Sequence, residues 1–403
     1  MAYIPKCQKM IKTITRRKII ETGIKSSLLF PLLGQTIISC ASKKGKNEIT
    51  DTGPRTKLKI LILGGTSFLG PHQISYALSR GHAVSTFTRG KTVSTVYKEL
   101  FNDVEQLIGD RENDLTALEK GYWDVVIDNS GRKVDWTKRS AELLKDRSEL
   151  YLYTSSTGVY YPYLGKDIDE KTALVLKEPA NIIDEEEQGE YSYGVMKANS
   201  ELEAIKAFGP ERAIIVRPTY MIGPADELDR FIHWPIRLAK GGEVMVPGKI
   251  DDPVQYIDVR DVAEWMIRLA ENKTTGIFNA VGPKITQTMP EFVELAQQAF
   301  DVEHTLIRID DYDFLKFHKV SYLIPWIPAE GNNYGSARIN NQEAINAGLT
   351  CRAIKDSVKD IYEWWYSDAL TDQRRAMYEQ NPESVLMREK AIIQAWRDVK
   401  KMR

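Results

Sequence analysis

From residue 58 onward, short continuous apolar runs alternate with amphipathic stretches. "LKILIL" (Leu58 to Leu63) has the unbroken apolar character of a fully buried strand. "GPHQISYALSRG" reads as a helix closed by Gly81, and "AVSTFT" as a second strand. "WDVVID", "ELYLYTSS" and "RAIIVRP" repeat the strand pattern. Strands alternating with helices predict an α/β fold with a doubly wound parallel sheet, covered on both faces. Beyond Pro224 the pattern loosens through "FIHWPIRLAKGGE" and "KVSYLIPWIPAEGNNYG", which suits a smaller lobe closing over a site. "GLTCRAIKDSVKDIYEWWYSD" and "ESVLMREKAIIQAWRDVKKMR" predict C-terminal amphipathic helices whose Trp and Ile residues pack. The acidic run "DEEEQGE", Asp184 to Glu190, reads as a solvated loop. The expected organisation is a nucleotide-binding domain over 58–282, with 221–247 lent to a discontinuous lobe that 283–403 completes.

The segment before residue 58 has a different character. Arg16-Arg17 precede an apolar run from Ser26 to Ile38, and Ile37-Ile38-Ser39-Cys40 follows. That run is too short for a permanent membrane span. The order of arginine pair, apolar run and cysteine is similar to a twin-arginine signal of a bacterial lipoprotein. Residues 1–40 are therefore expected to be a signal ending in a lipidated cysteine, and 41–57 a polar tether. The protein is expected to be exported, periplasmic or membrane-anchored, with contact to membrane only through the lipid. The alternative is an amphipathic N-terminal helix on a cytoplasmic protein.

The chain of 403 residues has a formal net charge of -1, so nothing in bulk charge attracts nucleic acid or an anionic surface. The three cysteines, Cys7, Cys40 and Cys351, form no CxxC or Cys/His cluster, and no metal site is indicated.

Two motifs carry chemistry. "ILGGTSFLG" places Gly64, Gly65 and Gly70 between the first strand and the first helix. There the backbone can approach a pyrophosphate that the helix N-terminus attracts, as in a Rossmann turn. Thr66, Ser67, Phe68 and Leu69 complete the turn. After the second strand comes "FTRGK", where Arg89 and Lys91 favour the extra phosphate of NADP over NAD. Asp110 is placed to meet the adenine edge, and Asn129 and Ser130 lie at the strand end nearest the reactive ring. The second motif is "YSYGVMKANSELEAI", which puts Tyr193 and Lys197 on one helix face. A lysine beside a phenol stabilises the phenolate, Lys197 can also hold the nicotinamide ribose of the cofactor, and a serine hydroxyl from "TSSTGVYY" would steady a reacting oxygen.

Together, "GGTSFLG", "TSSTGVY", "YGVMK", "VRPTYMIGP" and "QYIDVRDVA" resemble the extended short-chain dehydrogenase/reductase family, the NAD-dependent epimerase/dehydratase group, over roughly residues 58–368. The resemblance implies Ser156, Tyr193 and Lys197 as the catalytic set. It places Pro218 and Thr219 beside the nicotinamide and Arg260 in a structural and pocket segment. "GGEVMVPGKIDDPVQYIDVRDVAEW" and "RFIHWP" look most like a bacterial branch described as reductases or epimerase-like, whose plant relatives include RNA-associated chloroplast proteins. Tyr160, Tyr220, His233 and Trp234 are candidates for the substrate cleft. The expected activity is NAD(P)-dependent chemistry at a secondary alcohol or ketone of a small carbohydrate-like substrate, with the cofactor held tightly and recycled. The alternatives are a net NADPH-dependent reductase of the cytosol and a non-catalytic NAD(P)- or RNA-binding module. The absence of a basic-aromatic patch argues against nucleic acid. The oligomeric state stays open, a homodimer included.

Overall fold

The computed structural model describes residues 56–402; the expected signal, 1–40, and the tether up to residue 55 lie outside them. Six strands lead the chain: β1 (Lys59–Leu63), β2 (Ala83–Thr88), β3 (Glu105–Ile108), β4 (Trp123–Asp128), β5 (Ser148–Thr154) and β6 (Ala213–Pro218). Between them come α1 (Leu69–Ser79), α2 (Val134–Leu144) and α3 (Glu185–Phe208). After β6 follow β7 (Met221–Ile222), α4 (His233–Ala239), β8 (Gly242–Pro247), β9 (Pro253–Asp258), α5 (Val259–Glu271), β10 (Gly276–Ala280) and β11 (Gly282–Thr288). The chain continues with α6 (Met289–Ala296), β12 (His304–Ile309), α7 (Tyr312–Phe317), α8 (Gln342–Asn346), α9 (Ile354–Trp365), α10 (Asp372–Glu379) and α11 (Val385–Met402).

The main sheet has seven strands in the order β10-β6-β5-β4-β1-β2-β3, all parallel. This is the doubly wound sheet expected from the alternating pattern. The apolar run of β1 is explained by its position, because both of its faces are covered. Ile60 and Ile62 enter the core beneath α1 and α5, while Leu61 and Leu63 enter the core on the opposite face with α2 and α3. β5 divides in the same way, with Leu150 and Leu152 on one side and Tyr151 and Tyr153 on the other.

A third core gathers residues from 222–256 and 289–396, including Trp234, Trp326, Trp364, Trp365 and Trp396. Two small sheets, β11-β9-β7 and β12-β8, belong to this part of the chain. The C-terminal tryptophans pack, as their helical spacing predicts.

The acidic run departs from expectation. Asp184 caps α3 by accepting from the Glu187 N–H at 2.8 Å, and Glu185 to Glu187 form its first turn. Carboxylates suit the positive end of a helix, so the run is a helix start, not a loop.

His233 and Trp234 also depart from it. Both lie in the tryptophan-rich core, and the Trp234 indole donates to the Ile324 carbonyl at 2.8 Å. Neither ring nitrogen of His233 has a partner among the described residues. Burial, helped by Arg237 and Lys240, lowers the His233 pKa from 6.5 to about 3. Burial likewise lowers His72 to about 4. Both folded pKa values sit below the unfolded one, so the unfolded state takes up the extra protons. Stability is retained above pH 6.5 and falls as pH drops toward 4, by about 1.4 kcal/mol per pH unit for each histidine. His233→Leu, which removes two unsatisfied polar atoms, should flatten this acid slope by one histidine's share without loss at neutral pH. Denaturant unfolding between pH 7 and pH 4 measures it, and an unchanged slope would place His233 in contact with water.

Candidate active site

The chain leaves β1 through Gly64, whose φ of 80° lies in the left-handed region. A Cβ on Gly65 would sit 2.7 Å from Thr86 Cγ2, and one on Gly70 would lie 2.5 Å from the Gly65 carbonyl oxygen. The three glycines thus let α1 start hard against the end of β1. Beside this turn is a cavity of about 420 Å³, lined by Gly64, Thr66, Ser67, Thr88, Arg89, Lys91, Asp110, Arg111, Ser130 and Arg132. It lies at the carboxyl ends of the strands, where strand order reverses between β2-β1 and β4. The first turn of α1 carries no acidic side chain. A glycine turn with no room for side chains, a helix N-terminus and the cations Arg89, Lys91 and Arg132 fit a dinucleotide's phosphates.

Arg111 shapes the cavity wall. Its guanidinium pairs with buried Asp128 at 2.7 and 2.9 Å and donates to Ser130 Oγ at 3.0 Å. Burial works against the Asp128 charge, but Arg111 and the Tyr151 hydroxyl together hold its carboxyl below the usual range. Asn129 donates to Gln73 at 2.7 Å and accepts from Thr154 Oγ1, also at 2.7 Å. Leu69 and Gly70 are buried in the first turn of α1, and Phe68 packs on the sheet core. None of these three lines the cavity.

A second cavity, about 230 Å³, is lined by Ser156, Gly158, Tyr163, Glu190, Tyr193, Pro218, Thr219, Tyr220 and Arg230, among others. Ser156 follows β5, and its Oγ accepts from the Gly158 N–H at 3.0 Å. Tyr193, 44% exposed, stands on α3 with its ring against Gly158. A Cβ on Gly158 would lie 2.9 Å from that ring and 3.3 Å from Ser156 Oγ. A Cβ on Gly194 would lie 2.5 Å from the Gly158 carbonyl oxygen, so α3 meets the serine turn backbone to backbone. One turn on, Lys197 is buried and donates to the Thr154 carbonyl at 3.0 Å, with its ammonium over the Tyr153 ring. Burial tends to lower its pKa. The neighbouring phenols of Tyr153 and Tyr193 and the Asp128 carboxylate outweigh that and hold it above the ordinary lysine value.

Behind this cavity lies a buried network. Glu201, one turn beyond Lys197, receives Arg217 at 2.6 and 2.9 Å and also the Ser155 hydroxyl. Arg217 donates to the Tyr160 hydroxyl at 2.7 Å, which in turn donates to Asn279 at 2.7 Å. Tyr160 is therefore part of the network and does not face substrate, a correction to the sequence expectation. Arg260 is corrected as well. It pairs with Asp258 at 2.7 Å and with Asp360, and so ties α5 to α9. Of the expected substrate residues only Tyr220 lines the cleft, because an aromatic or cation in an apolar stretch most often finds a partner inside the fold.

Residues 60–280 match the family model described as the NAD dependent epimerase/dehydratase family. The chain belongs to this family. It is an NAD(P)-dependent enzyme of the extended short-chain dehydrogenase/reductase type. A chloroplast stem-loop binding protein of 41 kDa (form b) from Arabidopsis thaliana is 26% identical over 305 residues, 67% of this chain and 75% of that protein. Among solved structures, a UDP-N-acetylglucosamine 4-epimerase from Methanobrevibacter ruminantium superposes with a TM-score of 0.55 at 15% identity, covering 77% of this chain and 98% of that one. A dTDP-glucose 4,6-dehydratase from Bacillus anthracis, in complex with NAD, gives 0.54 at 16%, covering 77% and 97%. At such identities the likeness is one of fold.

Within the epimerase/dehydratase frame, sequence reasoning missed Arg111, Arg132, Gly158 and Glu190. A signal existed for Arg111: an aspartate such as Asp128, directly after the apolar run "VVI" of a central strand, needs a buried cation. Gly158→Ala should push the Tyr193 ring away from Ser156 and lower kcat by about 100-fold. Cofactor affinity should stay unchanged, as fluorescence titration would read. Wild-type turnover would show that the phenol reaches its place without this contact.

Proposed function

We propose that the protein catalyses a redox-neutral conversion, an epimerisation or elimination, at a secondary alcohol of a carbohydrate-like substrate. The observation that carries this reading is the joint lining of one cleft by Ser156 and Tyr193, with Lys197 held behind the phenol. When bound, a nicotinamide dinucleotide supplies reversible acceptance of hydride from the alcohol carbon. Gly64, Thr66, Ser67, Arg89 and Ser130 would hold it. Tyr193 takes the hydroxyl proton and returns it, Lys197 favours the phenolate, and Ser156 hydrogen-bonds the reacting oxygen. Arg89 and Lys91 support NADP over NAD, since both line the cavity at the end of β2.

An exported chain deepens the reading. Twin-arginine export carries folded proteins, so a cofactor loaded in the cytosol would travel inside, where soluble partners could not regenerate it. Tight retention and unchanged return in each cycle follow from that location.

Tyr193→Phe should lower turnover by at least about 100-fold with cofactor binding intact. Wild-type protein purified without added nucleotide should convert a responsive sugar or polyol with no net absorbance change at the reduced-nicotinamide band. A stoichiometric demand for NADPH would overturn the redox-neutral reading. Arg89→Asp should shift preference from NADP toward NAD, and unchanged relative affinities would show that Arg89 points into solvent.

A further inference from the structure

The catalytic cleft shares one acidic side chain, Glu190, with a neighbouring cavity of about 390 Å³. The charged groups lining that neighbour are Asp184, Glu186, Glu187, Glu190, Glu330 and a single cation, Lys316. Glu190 stands three residues before Tyr193 on α3, on the same face of the helix. Its carboxylate has no hydrogen bond or ion pair among the described residues. Burial, and then the charge of Glu186, raise its pKa above the ordinary glutamate value. The phenols of Tyr163 and Tyr220 lie close enough to feel its charge. Arg230, the cation lining the catalytic cleft, faces Asp226 at 3.4 Å. A half-buried carboxylate without a donor is costly, and a ligand that brings hydroxyls or an ammonium relieves it. A diphosphate would add like charge instead. Cations available to phosphates line the cofactor cavity at Arg89, Lys91 and Arg132, while Arg111 is paired with Asp128.

Resting on the catalytic reading above, we infer that Glu190 is the specificity-determining residue of the cleft. Its carboxylate accepts hydrogen bonds from an uncharged or cationic polyhydroxylated substrate and excludes nucleoside diphosphate sugars. The fold is shared with sugar-nucleotide enzymes, but in this cleft Arg230 is engaged by Asp226 while Glu190 meets the ligand without a donor of its own.

The test is calorimetric titration of the full-length protein saturated with NADP, using 1-deoxynojirimycin as a cationic polyhydroxylated probe and UDP-glucose as the diphosphate probe. Saturation with cofactor keeps UDP-glucose out of the dinucleotide cavity. The iminosugar should bind and UDP-glucose should not. Glu190→Gln, an isosteric change in the cleft wall, should weaken the iminosugar at least tenfold while NADP affinity stays the same. UDP-glucose binding by the wild type, failure of the iminosugar to bind, or an affinity untouched by Glu190→Gln would each overturn the inference. The catalytic reading is judged separately: Tyr193→Phe should lose turnover yet still bind the iminosugar, and wild-type turnover in that variant would sink the catalytic assignment alone.

Discussion

A single buried carboxylate holds the elements of the candidate site together. Glu201 sits on the same helix as Tyr193 and Lys197, accepts from Ser155 at the end of β5, and pairs in bidentate fashion with Arg217 of β6. Arg217 extends the network through Tyr160 to Asn279 of β10. The helix, the serine turn and two strands therefore share one set of charge-assisted bonds. Removing either ion of such a pair leaves the other buried without compensation, at about 3–5 kcal/mol. That cost fixes the relation between Tyr193 and Ser156 more firmly than either residue could, since both are on the open side of the network.

Charge is divided between the two halves of the site. The dinucleotide cavity is lined by Arg89, Lys91, Arg111 and Arg132 against Asp110 and Glu227, the cleft at Tyr193 by Glu190, Arg230 and phenols, and the cavity next to it by carboxylates with Lys316. The surplus of cations on the dinucleotide side suits an anionic ligand there.

Much of the fold was legible because its signals are local. Continuous apolar runs marked the strands of the central sheet, and the glycine turn and the Tyr193–Lys197 spacing are set within a few residues. What escaped was decided by distance in sequence. Nothing near Arg217 announces Glu201, and nothing near Arg111 except the polar end of β4 announces Asp128. His233, Trp234 and Tyr160 were misplaced for one reason: a polar-edged aromatic looks the same in sequence whether its neighbours are water or core. "DEEEQGE" was misread by composition, although a capping aspartate followed by glutamates is a helix start.

The meeting of Gly158 and Gly194 has a mechanical consequence. With no side chain between the two backbones, α3 lies directly on the serine turn there, and the Tyr193 ring packs beside that contact. The contact sets how near the helix can stand to the turn. Glu190 lies four residues toward the helix start, about 6 Å along the axis, on a stretch held by the Asp184 cap and by Asn332 donating to Glu187. Glu190 and Tyr193 therefore keep a fixed spacing on one helix, and two glycines set how near that helix stands to Ser156.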